Sequence, residues 1–225
     1  MNETLTCGWV QPAADRLLEQ NPLAAHPYFI ALGSQDMTRE RFVDSQCQFF
    51  HAVGFFSRAM AALLARQPDS ASRQVLMHNL AEEHGWDEEK GGEFRPAFAH
   101  DRTFLQFLAS LQSRPLAQGP EVRAFNLALY GACVSETVPF AFACLGMIEY
   151  AFADISALIG NAVVQNHWVP SEGLVHYSLH AELDKRHAAE FFEVVENHPP
   201  EDVKAELDYG WHIFAQLYRS LGERP

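Results

Sequence analysis

Between Thr38 and Pro68 the side chains Phe42, Gln46, Phe49, Val53, Phe56, Met60 and Leu63 recur at three- and four-residue steps, which puts them on one stripe of a long helix. Nearly every other segment repeats this period, and none shows the strict apolar/polar alternation of a half-buried strand. The chain is therefore expected to be all-α. Thr38 is placed to cap that first long helix, and Asp69 or Ser70 to start a second through Val75, Leu76 and Leu80 to Glu83. Gly85, Gly91 and Gly92 interrupt the chain next, so residues 85–99 read as a loop before a helix resumes near Asp101. From Glu121 to about Val164 the pattern is long and apolar, kinked or divided at Pro139, whose missing N–H costs an interior hydrogen bond. A further helix is expected from Pro170 and Ser171 to about Asn197, and a last one over 201–221. With no internal repeat and no linker, residues 1–225 are expected to form one bundle of about seven or eight helices.

Charge and composition narrow the partners. Sixteen Lys and Arg against 29 Asp and Glu leave a formal charge of −13, which opposes binding to nucleic acid or to an anionic membrane. The longest uncharged apolar stretch, Val138 to Ile148, contains Pro139 and is far shorter than the ~20 residues of a membrane span. The N-terminus has no basic start followed by an apolar run, so a cytoplasmic location is the expectation. Four cysteines without a C-x-x-C spacing suit a reducing compartment and argue against a thiolate zinc site.

The residues that bear chemistry cluster in three segments. HAELDKRH sets His180, Asp184 and His187 at i, i+4 and i+7, within about 60° of one another on a helix, so two imidazoles and a carboxylate share a face. That donor set suits a non-haem iron with open positions. The same residues also fit a helix whose histidines are satisfied by carbonyls, Glu190 or Asp184. In PFAFACLGMIEYAFAD, Glu149 is the only formal charge between Glu136 and Asp154, and a buried carboxylate needs a cation, a donor or a proton. In HNLAEEHG, helical phase aligns Glu83 with Leu76 and Leu80 and turns Glu82 toward solvent, so Glu83 is the expected ligand. His100 precedes the next helix and either caps it or turns inward. Of the other histidines, His51 beside Phe49 and Phe50 is the best placed to line a pocket; Tyr150 and Phe191 are expected there too.

These segments, with HPYFIALGSQDMTRERFVDSQCQFFHAV before them and LGMIEYAFADISALI and HYSLHAELDKRHAAEFF after, resemble the heme-oxygenase-like diiron oxidases, helical proteins related in fold to thiaminase II and pyrroloquinoline-quinone synthase. The resemblance spans about residues 25–195, and His-x3-Asp-x2-His is its most specific element. It implies a metal site made of Glu83, Glu149, His180, Asp184 and His187. Members usually place a histidine shortly after the first glutamate, where this chain reads DEEKGGE; His100 then stands in for it beyond a longer glycine-rich loop, with His84 as the fallback. The implied activity is dioxygen activation at two irons, with manganese tolerated at one site, to oxidise a small apolar or amphiphilic molecule in a Phe-lined pocket. A homodimer is the expected assembly because two-fold dimers are the commonest oligomers. Three other readings compete. A metal-free thiaminase-II-like hydrolase would use Cys144 as nucleophile, although Ile148 stands where its tyrosine belongs. Haem oxygenase would need a proximal histidine such as His26. A non-enzymatic helical module would need none of the metal donors.

Overall fold

The computed structural model describes residues 8–87 and 91–224. Among them are nine α-helices: α1 Val10–Gln20, α2 Pro27–Gly33, α3 Arg39–Ala65, α4 Ser70–Glu83, α5 His100–Ser110, α6 Pro120–Ser135, α7 Val138–Gln165, α8 Val175–Val195 and α9 Pro200–Gly222. Two-residue strands β1 (Trp86–Asp87) and β2 (Glu93–Phe94) pair antiparallel between α4 and α5, with Trp86 opposite Phe94.

Local chemistry sets most of the boundaries. Thr38 Oγ1 accepts from Arg41 N at 3.3 Å and Asp69 Oδ1 from Ser72 N at 2.9 Å, each satisfying a free donor of the first turn. Pro139 divides the long apolar segment rather than kinking it, because it occupies the first turn of α7, where no intrahelical N–H is required. The end of α6 just before it is closed by Arg66, which donates to the carbonyls of Cys133 and Glu136, both at 2.6 Å. The helix bounds read from the sequence begin at Thr38, and α1 and α2 precede them. His26 starts α2 by accepting from Tyr28 N through Nδ1 at 3.3 Å, while its Nε2 reaches the Ala215 carbonyl at 3.0 Å. Both ring nitrogens of His26 are thus committed to the fold.

The core is built around α7, which packs chiefly on α8 and α9. It runs antiparallel to α8: Gly146 faces Phe191 and Phe192 near one end of the pair, and Gly160 faces Tyr177 near the other. Close approach depends on two glycines, since a Cβ on Gly146 would sit 2.8 Å from the Phe192 ring and one on Gly210 would sit 2.6 Å from the Cys144 carbonyl. By length and composition α3 and α7 are apolar enough to cross a membrane, but 78% of the most apolar window of α7 is buried inside the bundle, against 39% for α3.

Candidate metal centre

On α8, His180, Asp184 and His187 occupy successive turns of the face turned toward α7, and all three are buried. Glu149 of α7, 4% exposed, projects into the same space. Each of Glu149, Asp184 and His187 offers a ligand atom, and the three atoms lie within 4.8 Å of one another. His187 Nδ1 is 3.9 Å from Glu149 Oε1, and His180 Nδ1 is 2.7 Å from Asp184 Oδ1. The hairpin and the turn at Gly85, whose φ of 90° a side chain would strain, return the chain so that His100 opens α5 with Nδ1 2.7 Å from Glu83 Oε1. The His100 and His180 ring centres are 4.3 Å apart, so the Glu83–His100 pair adjoins the α8 residues.

Glu82 contradicts the expectation that it faces solvent: it is as buried as Glu83. The end of α4 sits in a corner between α5 and α8, so more than one stripe of the helix is covered. Glu83 turns to His100 on α5, whereas Glu82 turns to α8, with Oε2 2.6 Å from His187 Nε2 and Oε1 2.6 Å from an Arg186 nitrogen. His84 is exposed and bonds back to the Leu80 carbonyl at 2.8 Å, away from the centre. Residue spacing within α4 alone could not reveal Glu82's role, because it depends on where α8 lies.

The electrostatics divide the cluster. Burial raises the Glu149 carboxyl well above its ordinary range, and the nearby Asp184 and Glu83 push it further. Asp184 is raised to about 8 by burial, against the pull of His187 and His100. Burial works against ionised Glu83 and protonated His100, yet each stabilises the other, holding Glu83 below and His100 above their usual values. Burial and the neighbouring His100 push His180 well below. Glu82 is also opposed by burial, but the bonds from His187 and Arg186 hold it down at about 2.

Two buried imidazole nitrogens of this cluster, His180 Nε2 and His187 Nδ1, have no hydrogen-bond partner among the described residues, and the raised carboxyls of Glu149 and Asp184 partner each other only by sharing a proton. Buried polar atoms left in that state cost free energy, and a cation bound by them removes the cost. Two carboxylate oxygens and two imidazole nitrogens are a donor set that iron or manganese accepts, so the residues present fit such a metal. His176, one turn before His180, is also fully buried; its Nδ1 meets the Thr103 hydroxyl at 3.0 Å and its ring centre lies 4.2 Å from that of His180.

Over the cluster lies an apolar cavity between Phe49, Phe56, Phe125, Ile148, Phe152 and Phe214, with Glu83, His100, Glu149 and His180 in its wall. Tyr150 and Phe191, expected to line it, do not. Tyr150 points to α1 and donates to Asp15, and Phe191 packs on Phe142 between α7 and α8 with ring centres 5.7 Å apart. His51 faces an outer chamber and donates through Nε2 to the Leu116 carbonyl at 2.7 Å. Cys144 lies against α9, its thiol pushed well up by burial, and it lines neither space.

Residues 45–219 match the model of the iron-containing redox enzyme family. The chain belongs to that family. Solved structures share its fold at low identity. A TenA homologue from Pseudomonas syringae is 20% identical over 94% of this chain and 87% of its own, with a TM-score of 0.66. A CADD-like protein from Nostoc punctiforme is 17% identical over 96% of both chains, with a TM-score of 0.70. A protein from Shewanella denitrificans described as having a heme oxygenase-like fold is 14% identical over 95% of this chain and 88% of its own, at 0.64. No curated protein sequence matches the chain. The all-α, heme-oxygenase-like bundle is therefore the fold of this member of the iron-containing redox enzyme family.

Proposed function

We propose that the protein is a non-haem diiron oxidase that uses dioxygen to oxidise a small organic molecule. The observation that carries this reading is the convergence of Glu149, Asp184 and His187, with unpartnered buried donor atoms, beneath an apolar cavity. Glu149, Asp184 and His187 would hold one ion, and Glu83, His100 and His180 offer donors for a second; manganese fits the same donors. Bound iron would supply the one-electron chemistry that dioxygen requires. The chain's own residues do the rest. Glu82, ionised between His187 and Arg186, accepts from His187 Nε2–H and leaves Nδ1 bare toward Glu149. The phenylalanines of the cavity exclude water and set a substrate carbon against Glu83, His100 and Glu149.

Anaerobic reconstitution with Fe(II) tests the reading, and about two ions per chain are expected. One ion per chain would indicate a mononuclear centre on α8, and none bound to folded protein would remove the oxidase assignment.

A further inference from the structure

His100 opens α5, yet no side chain caps that helix at Ala99. Its place is fixed from other elements. Glu83 of α4 holds the His100 side chain, with Oε1 2.7 Å from Nδ1. A second tie starts on α8 and reaches the His100 backbone. Thr103, fully buried in the first turn of α5, donates its hydroxyl to the His100 carbonyl at 3.0 Å. A hydroxyl has one proton, so the 3.0 Å contact between Thr103 Oγ1 and His176 Nδ1 is a bond in which the imidazole donates. His176 is therefore the Nδ1–H tautomer. Its bare Nε2 has no partner among the described residues and adds no further tie.

The surroundings of His176 are otherwise aromatic. Its ring centre lies 4.7 Å from that of Phe104 on α5, 6.2 Å from Phe152 on α7 and 5.4 Å from Tyr177. A phenylalanine would fill such a corner without burying two ring nitrogens, so the bond to Thr103 is what the imidazole adds. That bond lies beside the metal donors. The His180 ring is 4.2 Å from His176 on one side and 4.3 Å from His100 on the other.

We infer that His176 is a positioning residue: through the Thr103 hydroxyl it registers α5 against α8 and holds His100 beside His180, so that both can serve one ion. The inference rests on the oxidase reading, in which Glu83, His100 and His180 take the second ion. An imidazole nitrogen binds a first-row metal at about 2.1 Å, so a slip of an ångström between the two helices takes one donor out of reach. The ion at Glu149, Asp184 and His187 draws nothing from α5 and does not depend on the link.

Anaerobic Fe(II) titration of four proteins tests this. Thr103→Val keeps the side chain's size and removes the hydroxyl, Thr103→Ser keeps the hydroxyl, and His176→Phe fills the corner without the donor. Thr103→Val and His176→Phe should each weaken the second ion about tenfold and leave the first unchanged, and Thr103→Ser should bind both ions as the parent does. Equal loss at both ions, no loss in Thr103→Val, or the same loss in Thr103→Ser would each overturn the inference. Histidine ¹⁵N spectra of the metal-free proteins read the link without iron. His176 should carry its proton on Nδ1, and Thr103→Val should shift the His100 signals while those of His187 stay in place. A proton on His176 Nε2, or unmoved His100 signals, overturns the inference whatever the iron result. A parent that takes up fewer than two ions yet shows these shifts removes the diiron reading and keeps the link.

Discussion

His187 Nε2 and Glu82 Oε2 lie 2.6 Å apart across the α4–α8 contact, so the imidazole is held by one nitrogen while the other, Nδ1, is turned toward Glu149. Glu82 is itself held by Arg186 at 2.6 Å, which keeps the carboxylate ionised and in place. Such partners of a ligating histidine fix its tautomer and ring orientation. Glu82→Ala should therefore weaken Fe(II) binding ~10–100-fold with helical content kept. Glu82→Gln should recover part of that loss, because its amide oxygen still accepts from Nε2–H. Fe(II) affinities measured under anaerobic conditions and far-UV circular dichroism check both; unchanged affinity in Glu82→Ala would make the contact purely structural.

The face of α8 was legible in the sequence because its three residues share one helix, where spacing alone fixes their relative direction. Glu149 was legible because a lone charge in an apolar helix must find a partner. Glu82 departs from that reading because phase within α4 records one covered face, while at the end of the helix Glu83 meets His100 of α5 and Glu82 meets His187 of α8. The pairing of His100 with Glu83 depends on the path of the chain through Gly85 and the hairpin, which no period describes. The helices ahead of Thr38 were given no bounds for a similar reason: α2 is short, and its start is fixed by His26, whose second nitrogen is anchored on α9.

His84 and His100 should behave differently as alanine variants. His100→Ala removes the partner 2.7 Å from Glu83 and leaves a buried carboxylate without its cation, so both stability and iron binding should fall. His84 is exposed and, among the described residues, bonds back to its own helix at the Leu80 carbonyl, so His84→Ala should stay within ~0.5 kcal/mol of the parent in stability and take up the same iron. Thermal unfolding and iron titration of the two variants decide the comparison; loss of iron in His84→Ala would show that the turn after α4 carries a ligand.

Metal binding should depend on pH through Asp184 and Glu149. Asp184, with an ordinary value of 3.8, is raised to about 8, and Glu149 is raised well above 4.5. A carboxyl raised in the fold contributes stability fully present below its unfolded value and lost as pH rises through its folded value. The metal-free protein should therefore lose stability from about pH 4 to about pH 8 through Asp184, and a bound cation should cancel the loss by favouring the ionised form. The Tm increase given by Fe(II) should grow over that range, and calorimetry in buffers of different ionisation enthalpy should record proton release on binding. A Tm increase independent of pH would mean that the carboxyls are already ionised without metal.

His26 should make the fold sensitive to mild acid away from the metal centre. Burial lowers its pKa below 6.5, and its two ring nitrogens have opposite duties, Nδ1 accepting from Tyr28 N and Nε2 donating to the Ala215 carbonyl. Protonation takes away the acceptor and with it the cap of α2, an interaction of ~1 kcal/mol. For a histidine lowered in the fold, the contribution is present above the unfolded value and is lost as pH falls through 6.5 toward the folded one. Asparagine keeps the capping oxygen but does not titrate. Between about pH 7 and about pH 5.5, Tm should therefore fall less in His26→Asn than in the parent, although the variant starts lower for want of the bond to Ala215. Parallel acid profiles for the two proteins would mean that the loss of stability in this window comes from other groups.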